Sequence, residues 1–141
     1  MVIVRYGDIQ PTVELANSLM EFEVDEVVVV PNDRAPRPSH LDERAVWLMP
    51  ERNLGYGDAF NLAIQARSSP AYVLLNTDVL LPRGTLEACL ETLGAEGVGV
   101  VGPVLRHADG SLQSGAARLT RFRRSPHVLV DPGRIASSVL G

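Results

Sequence analysis

Glu26-Val27-Val28-Val29-Val30-Pro31-Asn32-Asp33 holds four consecutive valines. A strand with one wet face would alternate apolar and polar residues, so this run predicts a strand covered on both faces, ended by the proline. Upstream, Val2-Ile3-Val4-Arg5-Tyr6 reads as a second such strand. Between them, Pro11 to Phe22 carries Leu15, Ala16, Leu19 and Met20 at helical spacing. Strand, helix and strand in that order predict a parallel crossover.

Downstream, three prolines within Pro31 to His40 exclude a helix or a central strand and predict an irregular loop. Ala45 to Met49 is a third expected strand, Gly57 to Arg67 a helix with Phe60, Ala63 and Ile64 facing the core, and Ala71 to Leu75 a fourth strand. A helix from Pro82 or Thr85 follows, with Leu86, Cys89, Leu90 and Leu93 turned inward and Gly94 or Gly97 at its end. Val98 to Leu105 is a fifth expected strand. Asp109-Gly110 then predicts a type I′ hairpin that makes the sheet mixed. The fold class is α/β: a Rossmann-like α/β/α sandwich with a mostly parallel sheet and a β-hairpin after the fifth strand. Past Arg118 the pattern weakens, leaving only a short helix near Ile135 to Leu140 as an expectation.

At 141 residues and 45% hydrophobic content the chain fits one compact domain. Its net charge of −4 is spread along the sequence, which argues against a nucleic-acid partner, whose footprint is a basic stripe. All thirteen cationic side chains are arginine. Without lysine there is no phosphate-binding P-loop, no Schiff-base chemistry and no receiver-domain lysine. The single Cys89 cannot form an internal disulfide and reads as core packing. No apolar run approaches a membrane span, and the amino terminus lacks a signal-peptide pattern, so a cytoplasmic setting is expected.

Polar residues punctuate the expected strand ends: Gly7-Asp8, Asn32-Asp33, Asn53, and Asn76-Thr77-Asp78. In an open α/β sheet these ends share one rim, where ligands bind. Asp78 is the sharpest candidate, since a divalent cation on one or two oxygen ligands neutralises a diphosphate leaving group. Asn76, two residues away, projects to the same side if the backbone stays extended. Gly55 and Gly57 would let a ligand approach the start of a helix, and Asn61, one turn on, could brace the loop or reach a ribose or base. Gly97 to Gly102 matches GxGxxG literally, but those glycines lie within an expected strand and open no helix, so the match is rejected. His40, His107 and His127 are far apart and expected in surface loops.

Taken in order, these segments resemble the amino-terminal, donor-binding half of the family 2 glycosyltransferases, inverting enzymes of the GT-A fold. Val2 to Tyr6 looks like the family's opening strand with its tyrosine, and Val28 to Asp33 like its second-strand ending. Asn53-Leu54-Gly55-Tyr56-Gly57-Asp58-Ala59-Phe60-Asn61 matches its Asn-x-Gly-aromatic segment, and Leu74 to Val79 resembles the acidic metal motif in an Asn-x-Asp form. Gly102 to Leu105 with Asp109 to Gln113 resembles the strand and hairpin that follow. The resemblance implies a donor site for a UDP- or dTDP-sugar from Tyr6, Asn32, Asp33, Asn53, Gly55, Gly57, Asn61 and Asn76, with Mg²⁺ or Mn²⁺ on Asp78.

Pro31 stands where the family usually has a base-contacting aspartate, and Asp33 or Asn32 could substitute for it. The resemblance covers residues 1–120 as a nucleotide-sugar-binding domain. Residues 121–141 read as a basic, loop-rich extension, truncated relative to the family. The family's catalytic base lies in an acidic motif further downstream than Gly141, and Asp131 sits in a turn-like Asp-Pro-Gly, so no catalytic residue is assigned. The expected acceptor is a polysaccharide, lipid or small-molecule hydroxyl. Arg121, Arg123 and Arg124 could face an anionic acceptor or the inner face of a membrane, or simply be solvated. A homodimer stays open. The alternative reading is a catalytically incomplete module that binds a nucleotide sugar or a partner subunit.

Overall fold

The computed structural model describes residues 1–117 and 127–128. It divides into two compact units, Met1–Leu80 and Leu81–Gly141.

The first unit holds β1 (Val2–Arg5), α1 (Gln10–Leu19), β2 (Val28–Pro31), β3 (Val46–Trp47), α2 (Tyr56–Ala66) and β4 (Leu74–Leu75). The strands form one parallel sheet in the order β3-β2-β1-β4. The chain steps one way across the sheet through α1 and the other way through α2, and right-handed crossovers then put the two helices on opposite faces. Both central strands are buried throughout, as a sheet covered on both faces requires, and Arg5 is the one charged residue in them.

One face is a cluster of Val2, Val4, Val28 and Val30 under Ala59 and Ala63 of α2. Two alanines bring the helix close to the sheet. Replacing Ala63, which is fully buried, by leucine would force that layer apart. The expected loss is about 1–3 kcal/mol in the unfolding free energy from urea titration. The strand pleat sends Ile3 and Val29 to the other face, and α1 packs against β1 with Leu15, Ala16 and Leu19 buried.

Several boundaries are shorter than the sequence suggested. α1 stops at Leu19 because the amides of Met20, Glu21 and Phe22 bond three residues back, which tightens its end into a turn. β3 and β4 are edge strands of two residues each. The proline-rich segment is an irregular loop, tied down by Arg37 donating to the carbonyls of Ala45 and Asp42 at 2.8 Å each. Asn17 of α1 clamps the same loop, donating to His40 O and accepting from Asp42 N.

The second unit contains α3 (Thr85–Leu93), β5 (Leu105–Arg106), β6 (Leu112–Ser114), β7 (Ala116–Ala117) and β8 (His127–Val128). On α3, Leu86 is buried and Cys89 is half-buried, but Leu90 is 44% exposed, against the expectation that it faces inward. The expected strand over 98–105 is also corrected, since only Leu105–Arg106 pairs. Gly99 and Gly102 weaken an extended segment and Pro103 cannot donate to a ladder.

The hairpin expected at Asp109-Gly110 is present, but as a separate antiparallel pair rather than a continuation of the parallel sheet. Its turn is not type I′. Gly110 alone in the loop has a positive φ, +83°, and its amide bonds His107 O at 2.9 Å. This is a type I turn followed by a left-handed glycine, a three-residue loop. β7 and β8 form a further pair, where the sequence suggested no strand and placed His127 in a loop. The helix expected near 135–140 and the arginine run at 121–124 lie outside the described residues. Among the described residues no helix is long and apolar enough to cross a membrane.

Candidate functional site

Parallel strands bring the exits of β1, β2 and β4 to one edge. The switch in chain direction falls between β1 and β4, where an open α/β sheet leaves a crevice for a ligand. Val2 pairs with Val28 and with Leu74, so continuing both registers sets Tyr6 level with Asn32 on one side and with the Asn76 to Asp78 turn on the other. Those two turns are two strand spacings apart, about 10 Å.

Arg5 is an anomaly in a strand otherwise built of valine and isoleucine. It is 4% exposed, and its guanidinium pairs with Asp33 and also donates to Gly7 O. Asp33 accepts in addition from the amides of Gly7 at 3.3 Å and Ala35 at 3.2 Å. The exits of β1 and β2 are thereby stitched together through one carboxylate. Tyr6, between these fixed points, is 70% exposed.

Asn32 is 6% exposed. Its amide nitrogen donates to Leu54 O, and its oxygen accepts from Leu54 N at 2.7 Å. A single side chain thus holds the loop that leads into α2 as a neighbouring strand would. Arg34, next in the same turn, is exposed and has φ +60°, the left-handed region that non-glycine residues seldom occupy.

Helix α2 begins after Gly55, whose backbone is extended and supplies no capping side chain. A Cβ on Gly57 would meet nothing within 4 Å, and one on Gly55 only an Asp58 carboxylate oxygen at 3.8 Å. Protein packing therefore does not demand these glycines. Asn53 and Asn61 are exposed beside them. Bracing of the loop falls to Asn32 rather than Asn61, whose amide makes no hydrogen bond among the described residues.

At the exit of β4, Asn76 and Asp78 are both exposed on a turn. Asp78 points away from the apolar interior. The Tyr56 hydroxyl, from the first turn of α2, donates to Asn76 Oδ1. Burial, and secondly the negative charge of Asp78, push the Tyr56 phenol above its ordinary value. Tyr56, Asn76 and Asp78 therefore form one group.

Sequence reasoning did not place Tyr56 or Arg5 in the site. Each left a signal: an aromatic between two glycines at a helix start, and a lone charge in a buried strand. Among the described residues no three His, Cys, Asp or Glu side chains converge as a metal site. One exposed carboxylate suits a cation that arrives on a diphosphate and takes most of its ligands from phosphate and water, as Mg²⁺ does.

Residues 5–133 match the family model described as Glycosyl transferase family 2. The chain belongs to this family, and so carries a glycosyltransferase domain, a class that works in general on a nucleotide-sugar donor and an acceptor. Comparison with curated proteins and with solved structures gives no match.

Proposed function

We propose that the first unit holds the diphosphate of a nucleotide-sugar donor, UDP- or dTDP-linked, for transfer of the sugar to an acceptor hydroxyl with inversion. The observation that carries this reading is the group at the switch point: exposed Asn76 and Asp78, linked through Tyr56 to the open amino terminus of α2. Leading helix amides and their partial positive charge favour an anion there. Tyr6 offers an exposed ring for the base or ribose, with Asn53 and Asn61 on the flank toward α2. Asn32 and Asp33 serve by fixing the two loops.

Asp78 would hold Mg²⁺ or Mn²⁺, which when bound offsets the charge that develops on the departing diphosphate. The glycines leave room for phosphate oxygens near the amides of α2. In-line displacement further requires a base for the acceptor proton, and no residue is assigned that part.

Calorimetric titration with UDP, dTDP, GDP and CDP, each with and without Mn²⁺, tests the proposal. At least one diphosphate should bind, and Mn²⁺ should tighten it by about tenfold or more, the effect of roughly 1.4 kcal/mol. Flat titrations across the panel would remove the donor site. Tight binding without sugar transfer would instead favour the incomplete, nucleotide-sugar-binding module.

A further inference from the structure

Two buried side-chain atoms have no hydrogen-bond partner among the described residues: Nε of Arg5 and Oγ1 of Thr12. Arg5 is 4% exposed and Thr12 fully buried, so neither reaches bulk solvent. Polar groups left unpaired at such depth are rare, and an ordered internal water is the usual remedy.

The backbone sets both residues on one face of the sheet. Val2 and Val4 lie under α2, so the strand pleat turns Ile3 and Arg5 toward α1. Asp33 meets Arg5 on that side, while Asn32 meets Leu54 on the α2 side, as the same alternation along β2 requires. The crossover between parallel strands returns α1 down the sheet, so its first turn, which holds Thr12, lies over the end of β1. The other two guanidinium nitrogens of Arg5 are committed, Nη1 to Asp33 and Nη2 to Gly7 O. Within the turn, Gln10 N donates to Asp8 Oδ1 and Val13 N to Ile9 O, both at 3.1 Å, and Pro11 has no N–H. Thr12 N–H is the amide left over.

We infer that one internal water sits between the end of β1 and the first turn of α1, accepting from Arg5 Nε and hydrogen-bonded to the Thr12 hydroxyl. Thr12 N–H supplies a third bond, the number a buried water typically makes. Water suits the place better than an anion, because Asp33 already neutralises Arg5 and a second buried negative charge would have no counter-charge there. The water joins α1 to the guanidinium that ties Asp33 and Gly7, and it is independent of what the crevice binds.

Urea denaturation of the whole chain gives the sign. Thr12→Val keeps nearly the same shape and removes the hydroxyl. A hydroxyl buried without any partner would make that change stabilising. With the water in place the change removes one of its bonds, and the folding equilibrium constant should fall about fivefold, the share of one hydrogen bond. In a chain that already carries Arg5→Met and Asp33→Leu, the same change should cost nothing, since the guanidinium that needs the water is gone. On the ¹⁵N-labelled parent, the Thr12 amide should show an NOE to water with the sign given by a long-lived internal molecule.

A neutral or stabilising Thr12→Val in the parent overturns the inference. An equal loss in both backgrounds does so too, because it would owe nothing to Arg5. A loss that depends on Arg5 but comes without the water NOE would mean a direct bond between Arg5 and Thr12, and overturns the water.

Discussion

Arg5→Met should lower the unfolding free energy by about 3 kcal/mol, the low end of what breaking a buried ion pair costs. Methionine fills much of the same volume and suits a buried strand, so packing alone predicts a small change. The loss comes instead from Asp33, which keeps the Gly7 and Ala35 amides but loses the one ion-pair partner it has among the described residues. Its side chain is 24% exposed, so water compensates in part and the higher end of the range is not expected. Arg5→Met combined with Asp33→Leu should recover most of the stability, because an apolar pair of suitable size often replaces a buried ion pair at little cost. Urea denaturation of both variants measures this. A single-variant loss below about 0.5 kcal/mol, the range of ordinary surface changes, would show that the pair does not hold the loops.

The second large effect is functional. Asp78→Ala should leave folding within about 0.5 kcal/mol of the parent, because the residue is exposed on a turn. It should abolish the Mn²⁺-dependent part of diphosphate affinity. Transfer measured with the donor that proves active should fall on the order of 100-fold, equivalent to roughly 3 kcal/mol of lost charge stabilisation. Asp78→Asn keeps the shape and removes the charge, so it should behave as the alanine variant does. Full Mn²⁺ enhancement in either variant would take the cation away from this turn.

The parallel core was readable because Val2 to Val4 and Val27 to Val30 are apolar on both alternating faces, a property local to each segment. The same logic failed over 98–104. Valine content there mimicked a strand, while Gly99, Gly102 and Pro103 withheld the side chains and the donor that a ladder needs. Leu90 failed for a related reason, since helical spacing names a stripe but not which part of it is covered.

At the site, sequence order located the rim, because polar residues follow each strand. It could not tell which rim side chains face a ligand. Asn32 and Asp33 turn to partners 22 and 28 residues away, and Tyr56 reaches a residue 20 positions on. Such choices depend on contacts between loops that lie 20–28 residues apart in sequence.

The paired bonds between Asn32 and Leu54 have a mechanical consequence. They make the approach to α2 an extra rung on β2, so the height of that helix above the sheet edge is gauged by the central strand and not by the long proline-rich excursion before β3. On the proposed reading, an incoming diphosphate would meet a loop already held in place by these bonds, and little of its binding energy would be spent on arranging the receptor.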